Sequence, residues 1–368
     1  MRVLHLIDHM GLGGEQRIVH DLVEAHAPDL DLTVWSLRRR DLPGVPGRLA
    51  AAGVRYEVLG LTGNPLRVVD LRSRLGQLRP DVLHLHLEYS ALIGTVTALS
   101  LPAPRPLLVV SIANDPHRQA AIHRYGGRLL APRIDVHIAI SRGVRDAILR
   151  AYAGRPRRVE TVIPGIDLRR FDRSQASPRA VAEYRRGAGR VIGTVARLAT
   201  QKAIHILLEA TPLLLQQHPD IRVLIVGDGP LRAPLEERAR QLGVSAAVTF
   251  AGYQEDVASA YGAMDVFVLP SRDEGYGIVF LEAMAMGVPV VGTRVIGSTE
   301  AVEDGVTGLL VPYADAPALA RAVLRILGDP DLARCLRGTA GERVRRCFGR
   351  EQSVARIEAL YRELVQEG

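Results

Sequence analysis

Short apolar runs alternate with longer helical patterns along this chain, and the rhythm is played through twice. The first series runs over residues 3–7, 32–35, 54–59, 82–87, 107–112 and 136–140, with helix-length stretches between the runs. Strand followed by helix, repeated, calls for right-handed βαβ units and a parallel sheet covered on both faces. A polar, Arg-rich, Pro-containing stretch at about 171–189 interrupts the pattern. It restarts at 191–196, 221–226, 248–251, 266–269 and 289–291. The reading is therefore α/β, with two Rossmann-like domains over 1–168 and 190–350, a linker over 169–189, and a last amphipathic helix over 351–368. A chain of 368 residues suits two domains of ~100–200 residues each. Within the second domain, Ile204, Leu207, Leu208 and Leu215 are spaced for one apolar helix face. In the last helix Val354, Ile357, Leu360, Tyr361 and Leu364 share one side. Open sheets of this kind bind ligands outside the carboxyl ends of their strands, and two of them facing each other would enclose an interdomain cleft.

Composition narrows the function. The chain is 47% hydrophobic and 24% charged, which is ordinary globular usage. No apolar run approaches the ~20 residues that span a bilayer, and Asp8 cuts the apolar opening short of a secretory signal. Cys335 and Cys347 are the only cysteines, so neither a disulfide framework nor a four-ligand zinc site is expected; a cytoplasmic location is. The net charge of +7 is lodged in the first 165 residues, with 22 Arg against 15 acids, while the rest carries 25 bases and 25 acids. A basic face attracts anionic lipid or an acidic substrate. Aromatic residues make up only 4% and do not interleave with the Arg clusters, so nucleic acid is not expected as a partner.

One bias stands out: 46 of the 47 basic side chains are Arg, and the exception is Lys202. Where generic charge is supplied by Arg, a compact ammonium marks a position of its own. Arg197 follows the strand at 191–196, and Lys202 opens the next helix. Two cations at a strand's carboxyl end suit a diphosphate and would stabilise it as it departs, although a solvated pair has the same spacing. Gly227, Asp228, Gly229 and Pro230 read equally well as plain strand-to-helix punctuation. After the strand at 266–269 come Glu274, Gly275, Tyr276, Gly277 and Ile278, with Glu282 eight residues beyond Glu274. The glycines leave helix amides open to a ligand, and apolar neighbours argue against a fully exposed Glu282. The bland alternative makes Glu274 a helix cap. In the first domain, Gly11, Leu12, Gly13, Gly14 and Glu15 open a helix in the manner of a phosphate-facing turn. Gln16 stands where a dinucleotide fingerprint needs a small residue, so NAD is a poor fit.

Taken together, the Arg197–Lys202 spacing, the Glu274 to Glu282 element, Gly13-Gly14-Glu15 and the run Glu303-Asp304-Gly305-Val306-Thr307-Gly308-Leu309-Leu310-Val311 resemble retaining glycosyltransferases of family 4. The likeness covers nearly the whole chain and is densest over 191–312. It implies the GT-B fold, with the final helix packed back on the N-terminal domain. It further implies that Arg197 and Lys202 hold a nucleotide diphosphate and Glu282 the ribose. Glu274, with the backbone around Gly275, Tyr276, Gly277 and Ile278, would hold the transferred sugar, and Gly13 and Gly14 would close over the phosphates. Many relatives carry His in the segment that resembles Ser111 to Asp115. This chain has Asn114, which can orient a sugar by hydrogen bonding but cannot act as an imidazole acid or base.

His84 and His86 share one side of a strand, where they orient or pack; the sequence offers no further ligands for a metal there. The Asp-x-Asp matches at Asp29–Asp31 and Asp329–Asp331 lie away from strand carboxyl ends, so a manganese site is not expected. The expected reaction is metal-independent transfer, with retention, from a UDP-, GDP- or ADP-sugar to an acceptor hydroxyl, with no separate cofactor. The acceptor would be a small molecule or a lipid-linked one reached by peripheral contact with an anionic inner membrane. A nucleotide-sugar 2-epimerase of the same architecture and a non-catalytic nucleotide-sugar-binding subunit are the rival readings.

Overall fold

A computed structural model of the chain describes residues 1–11, 13–39, 45–61 and 67–367. They divide into two compact units, Met1–Pro164 with Arg350–Gly368, and Gly165–Gly349.

The first unit is built on β1 (Arg2–Ile7), β2 (Asp31–Ser36), β3 (Arg55–Val58), β4 (Val82–His86), β5 (Leu107–Ile112), β6 (Val136–Ala139) and β7 (Val159–Thr161). They form one parallel sheet in the order β3-β2-β1-β4-β5-β6-β7. Central strands covered on both faces need near-continuous apolar sequence, and β1, β4 and β5 are buried along almost their whole length. β7 was not expected from sequence. Its three residues, Val-Glu-Thr, are half-buried at the sheet edge and carry too short an apolar signal to read.

Polar side chains enter this core together. His5 on β1 is in register with His84 on β4, and His86 lies two residues farther on. His5 Nδ1 and His86 Nε2 are 3.0 Å apart; His84 Nδ1 meets the Tyr361 hydroxyl at 2.5 Å and Nε2 meets Ser111 Oγ at 2.7 Å. Tyr361 belongs to the helix Arg350–Glu367, which buries Val354, Ile357, Leu360, Tyr361 and Leu364 in this unit. A fully buried apolar side chain contributes roughly 1.5–3 kcal/mol, so this stripe is a substantial clamp. Its polar partner Glu358, also buried, accepts the Ala27 amide at 2.8 Å.

The second unit holds β8 (Arg190–Val195), β9 (Ile221–Val226), β10 (Val248–Gly252), β11 (Val266–Leu269), β12 (Val290–Thr293) and β13 (Leu309–Val311), in the order β10-β9-β8-β11-β12-β13. All its neighbours are parallel. The strand order reverses between β8 and β11, which makes their carboxyl ends the switch point where such sheets open a crevice. β13 escaped the sequence reading as a strand, being three residues inside a Gly-rich run.

The stretch expected as a linker, 169–189, is an integral part of the second unit. Phe171 is 1% exposed and packs edge-on against Tyr261, the helix Pro178–Arg185 starts at a Ser177 cap, and Ser177 donates to Ser259 Oγ at 2.8 Å. Ser before Pro at the first helical position is a helix-start signal, and here it outweighs the loop-like composition. The helix His205–Gln217 buries Ile206, Leu207, Leu208, Ala210, Thr211 and Leu214, while Leu215 sits half-buried beside them.

Candidate functional site

The segment after β8 does not fold away at once. Ala196 and Leu198 donate to the carbonyls of Val226 and Asp228, each at 3.0 Å, so the chain runs on beside the loop that follows β9. That close approach is why Gly227 is glycine: its φ is +125°, and a Cβ there would overlap the Ala196 carbonyl oxygen. Arg197 is left exposed on this extension. The chain then makes a tight turn at Thr200–Lys202, and the amide of Arg272, from the loop after β11, donates to the Gln201 carbonyl at 2.8 Å. The loops from the two strands at the switch point are thereby tied together.

On that tie sits the central contact. Lys202 Nζ lies 2.6 Å from Glu274 Oε1, and Ser271 Oγ donates to the same oxygen at 2.6 Å. The Lys202 and Glu274 side chains are 17% and 5% exposed, so the pair is sheltered and what Glu274 shows to solvent is mostly backbone. Ser271 is fixed in turn by Thr293, whose hydroxyl donates to the Ser271 carbonyl. Charge-assisted hydrogen bonds of this kind are short and strong.

Gly277, at φ +81°, then caps the helix Ile278–Ala285 without a side-chain hydrogen bond. Its N-terminal amides and dipole are left for an anion. Beneath the loop lies Gly297, whose added Cβ would come 2.6–2.7 Å from Glu274 O, Gly275 C and Tyr276 N. Glu282 is 7% exposed on that helix, with Oε2 accepting from the Tyr261 hydroxyl at 2.8 Å. Tyr276, expected among the donor contacts, turns its ring into the unit against Phe348, with centroids 6.1 Å apart. It gives the loop its backbone. The structure thus joins Lys202 and Glu274 directly, puts Arg197 on the same side of β8, and secures Glu282 through a residue the sequence did not single out. Ser271, Tyr261 and Gly297 were all missed, since none stands in a motif.

Gly13, Gly14 and Asn114 belong to the first unit. Gly13 precedes the helix Gly14–Glu24, Gly14 has open space where a Cβ would stand, and Leu12 lies outside the described residues. Glu15 is buried and accepts the Leu87 amide at 3.2 Å; burial pushes its carboxyl up to about 8, helped by Asp8 and Glu88. It is largely protonated at neutral pH, a hydrogen-bond donor in a cavity of about 50 Å³ that Glu88, Ser111, Asn114, His123 and Tyr152 also line. Asn114 stands exposed just beyond β5. The cluster of His5, His84 and His86, whose nitrogens lie within 4.8 Å of one another, is the one group of metal-type donors among the described residues. Both nitrogens of His84 are held by Tyr361 and Ser111, and His5 Nδ1 is engaged with His86 Nε2, while the buried His86 Nδ1 meets no hydrogen-bond partner among the described residues. The Asp-x-Asp matches are likewise occupied. Asp29 pairs with Arg362, Asp31 with Arg2 and Arg55, and Asp329 caps the helix Pro330–Cys347.

Residues 12–170 match the family model described as Glycosyltransferase Family 4, and residues 189–329 match Glycosyl transferases group 1. The D-inositol 3-phosphate glycosyltransferase of Kribbella flavida is 31% identical over 352 residues, 88% of this chain and 82% of that protein. The enzyme of that name from Corynebacterium urealyticum is 36% identical over 263 residues, covering 67% and 61%. A GDP-mannose-dependent alpha-(1-6)-phosphatidylinositol monomannoside mannosyltransferase of Mycolicibacterium smegmatis is 38% identical over 217 residues, 56% of each chain. Of four such curated relatives the chain spans only 52–61% of the length. Among solved structures, Anabaena HepE in complex with UDP and glucose has a TM-score of 0.87 at 22% identity, covering 99% of this chain and 100% of that one. Sucrose-phosphate synthase from Thermosynechococcus elongatus has 0.83 at 24%, covering 100% of both. These likenesses show the GT-B fold.

Proposed function

The chain belongs to glycosyltransferase family 4 and has the GT-B fold, and from that premise we propose that it moves a sugar from a nucleoside diphosphate sugar to an acceptor hydroxyl with retained anomeric configuration. The observation that carries this reading is the sheltered Lys202–Glu274 pair at the β8/β11 switch point. The donor diphosphate lies against Arg197, Lys202 and the uncapped N-terminus of the helix Ile278–Ala285. Glu282, held by Tyr261, takes the ribose hydroxyls; Glu274 and the loop backbone take the sugar.

As the bond from the anomeric carbon to the diphosphate oxygen breaks, charge grows on the departing phosphate, and both cations act where it grows. The acceptor hydroxyl attacks from the face the diphosphate leaves, and a phosphate oxygen takes its proton, so the configuration is kept without an enzyme nucleophile. No residue is asked to hold a metal. Asn114, at the mouth of the first unit's cavity, orients the sugar by hydrogen bonding. The acceptor is a hydroxyl-rich, phosphorylated compound, small or lipid-linked, in bacterial glycan, glycolipid or metabolite assembly. Support comes from the relatives' printed names, one of which carries D-inositol 3-phosphate and the other phosphatidylinositol monomannoside, and from the Arg excess of the first half.

The test begins with UDP-, GDP- and ADP-sugars screened for thermal stabilisation, since a bound donor raises the unfolding temperature by mass action. With the donor in hand, Lys202→Ala lowers turnover by about 10²–10³, the cost of one lost oxyanion-type donor, while the fold survives. Unchanged turnover in that variant removes the role. An inverted anomer in the product, or turnover abolished by a chelator, removes retention or metal independence respectively.

A further inference from the structure

The helix Ala121–Leu130 buries none of its residues fully, and it wears its apolar side chains on the outside. Ile122, Tyr125 and Leu129 are 67%, 61% and 68% exposed. They fall at i, i+3 and i+7, which is one face of a helix. Scattered exposed apolar residues mean nothing in a soluble protein, but three on one face within ten residues form a patch. The opposite face is fully employed. His123, Gly127 and Leu130 line the cavity of the first unit, and a Cβ on Gly126 or Gly127 would strike Leu92 or the Tyr152 hydroxyl. The outward apolar face is therefore not left over from packing.

Its surroundings say what covers it. From Pro116 to Ile134 the chain carries four Arg and two His and no Asp or Glu. Arg124 and Arg128 flank the apolar face one turn apart, and the Arg124 guanidinium lies 5.0 Å from the centre of the Tyr125 ring. An apolar stripe with Tyr at its border and cations along its flank is what a helix lying in a membrane interface presents. At ten residues and ~15 Å this helix is far too short to span, and no helix among the described residues is long and apolar enough to cross a membrane.

We infer that the Ala121–Leu130 helix docks the first unit onto an anionic bilayer, with Ile122, Tyr125 and Leu129 set into the headgroup boundary and Arg124 and Arg128 against lipid phosphates. The inference deepens the lipid-linked arm of the functional reading and rests on that reading only for its meaning: a helix with bilayer on one side and the cavity wall on the other brings an acceptor headgroup beside Asn114 and His123 without the lipid leaving the membrane.

The experiment uses the full chain without donor or acceptor, so its failure leaves sugar transfer standing. The protein is sedimented with vesicles of phosphatidylcholine mixed with phosphatidylglycerol, and with phosphatidylcholine alone. Binding to the mixed vesicles only is expected. Arg124→Gln with Arg128→Gln weakens it about 30-fold, from roughly fivefold per Arg at an anionic surface. Ile122→Ser with Leu129→Ser weakens it at least about tenfold through lost apolar burial, with thermal unfolding unchanged because both sites are exposed. Tyr125→Trp gives an emission that shifts to the blue on adding mixed vesicles, against the constant background of buried Trp35. Absence of binding by the native chain, equal binding by the Ser variant, or equal binding to neutral vesicles overturns the inference. So does self-association of the native chain that the Ser substitutions abolish, which would give the face to a second copy.

Discussion

Of 47 basic side chains 46 are guanidiniums, and the exception bonds Glu274 at 2.6 Å in a site that Ser271 shares. An ammonium fits there as a compact charge with three rotatable donors, one for Glu274 and, in the proposed donor complex, the others for phosphate oxygens. A planar fork is larger and fixed in direction. Lys202→Arg is accordingly expected to keep the fold and lose at least about tenfold in turnover; full activity in that variant would mean that only the sign of the charge counts. At this scale the sequence was informative where a residue was rare or stood in a motif, as with Lys202, Glu274 and Glu282. It was silent where a role depends on spatial neighbours. Ser271 announces nothing until Glu274 turns back on it, and Tyr261 reaches Glu282 across twenty-one residues of chain.

Loops at the ends of β8 and β11 owe their shape to glycines beneath them. Gly297 lies under the backbone of residues 274–276, where neither a carbonyl nor an amide can swing aside as a side-chain tip would. In Gly297→Ala the loop must lift. Misplacement on the order of 1 Å costs about 10²-fold in rate, so turnover is expected to fall by about that factor while the unfolding temperature drops by only a few degrees. A variant with native turnover would show that the loop adjusts freely. Elements were legible in proportion to the apolar run each carries. The central strands declared themselves, whereas β7 and β13, three residues each, did not. The segment at 169–189 reads as a linker by its polarity, yet its Ser177-Pro178 start signal sets a helix, and Phe171, buried beside Tyr261, anchors it.

For the molecule as a whole, the buried imidazoles set the response to acid. Burial holds His5 down to about 3 and His137 to about 4, with His84 and His86 also well below their ordinary value. In the unfolded chain all four take up protons near pH 6.5. Between pH 6.5 and 4 the unfolded state therefore binds more protons, and stability falls as pH falls, by at most about 1.4 kcal/mol per unit for each His. Glu15 and Asp21, pushed up by burial to about 8 and about 6, act in the other direction. Their contribution is complete below an unfolded value of about 4 and is lost as pH rises through those folded values. Asp8 and Glu88 are raised by burial in the same sense. The four imidazoles stay depressed over the widest span below pH 6.5, so stability is expected to peak near that value. Urea midpoints that fall toward pH 4.5, with a shallower fall in His5→Asn, would bear this out; a flat profile from pH 7 to 4.5 would refute it.

The three-histidine core also depends on a helix that comes very late in the chain. Tyr361 closes over His84 from the segment Arg350–Glu367, and all of Gly165–Gly349 is threaded between it and the strands it covers. At about 5–20 residues per second, a ribosome needs on the order of ten seconds or more to translate that insert. Throughout that interval the socket for Tyr361 stands open on β1 and β4. Of the two units, the one begun first is completed second, after its neighbour has had time to fold.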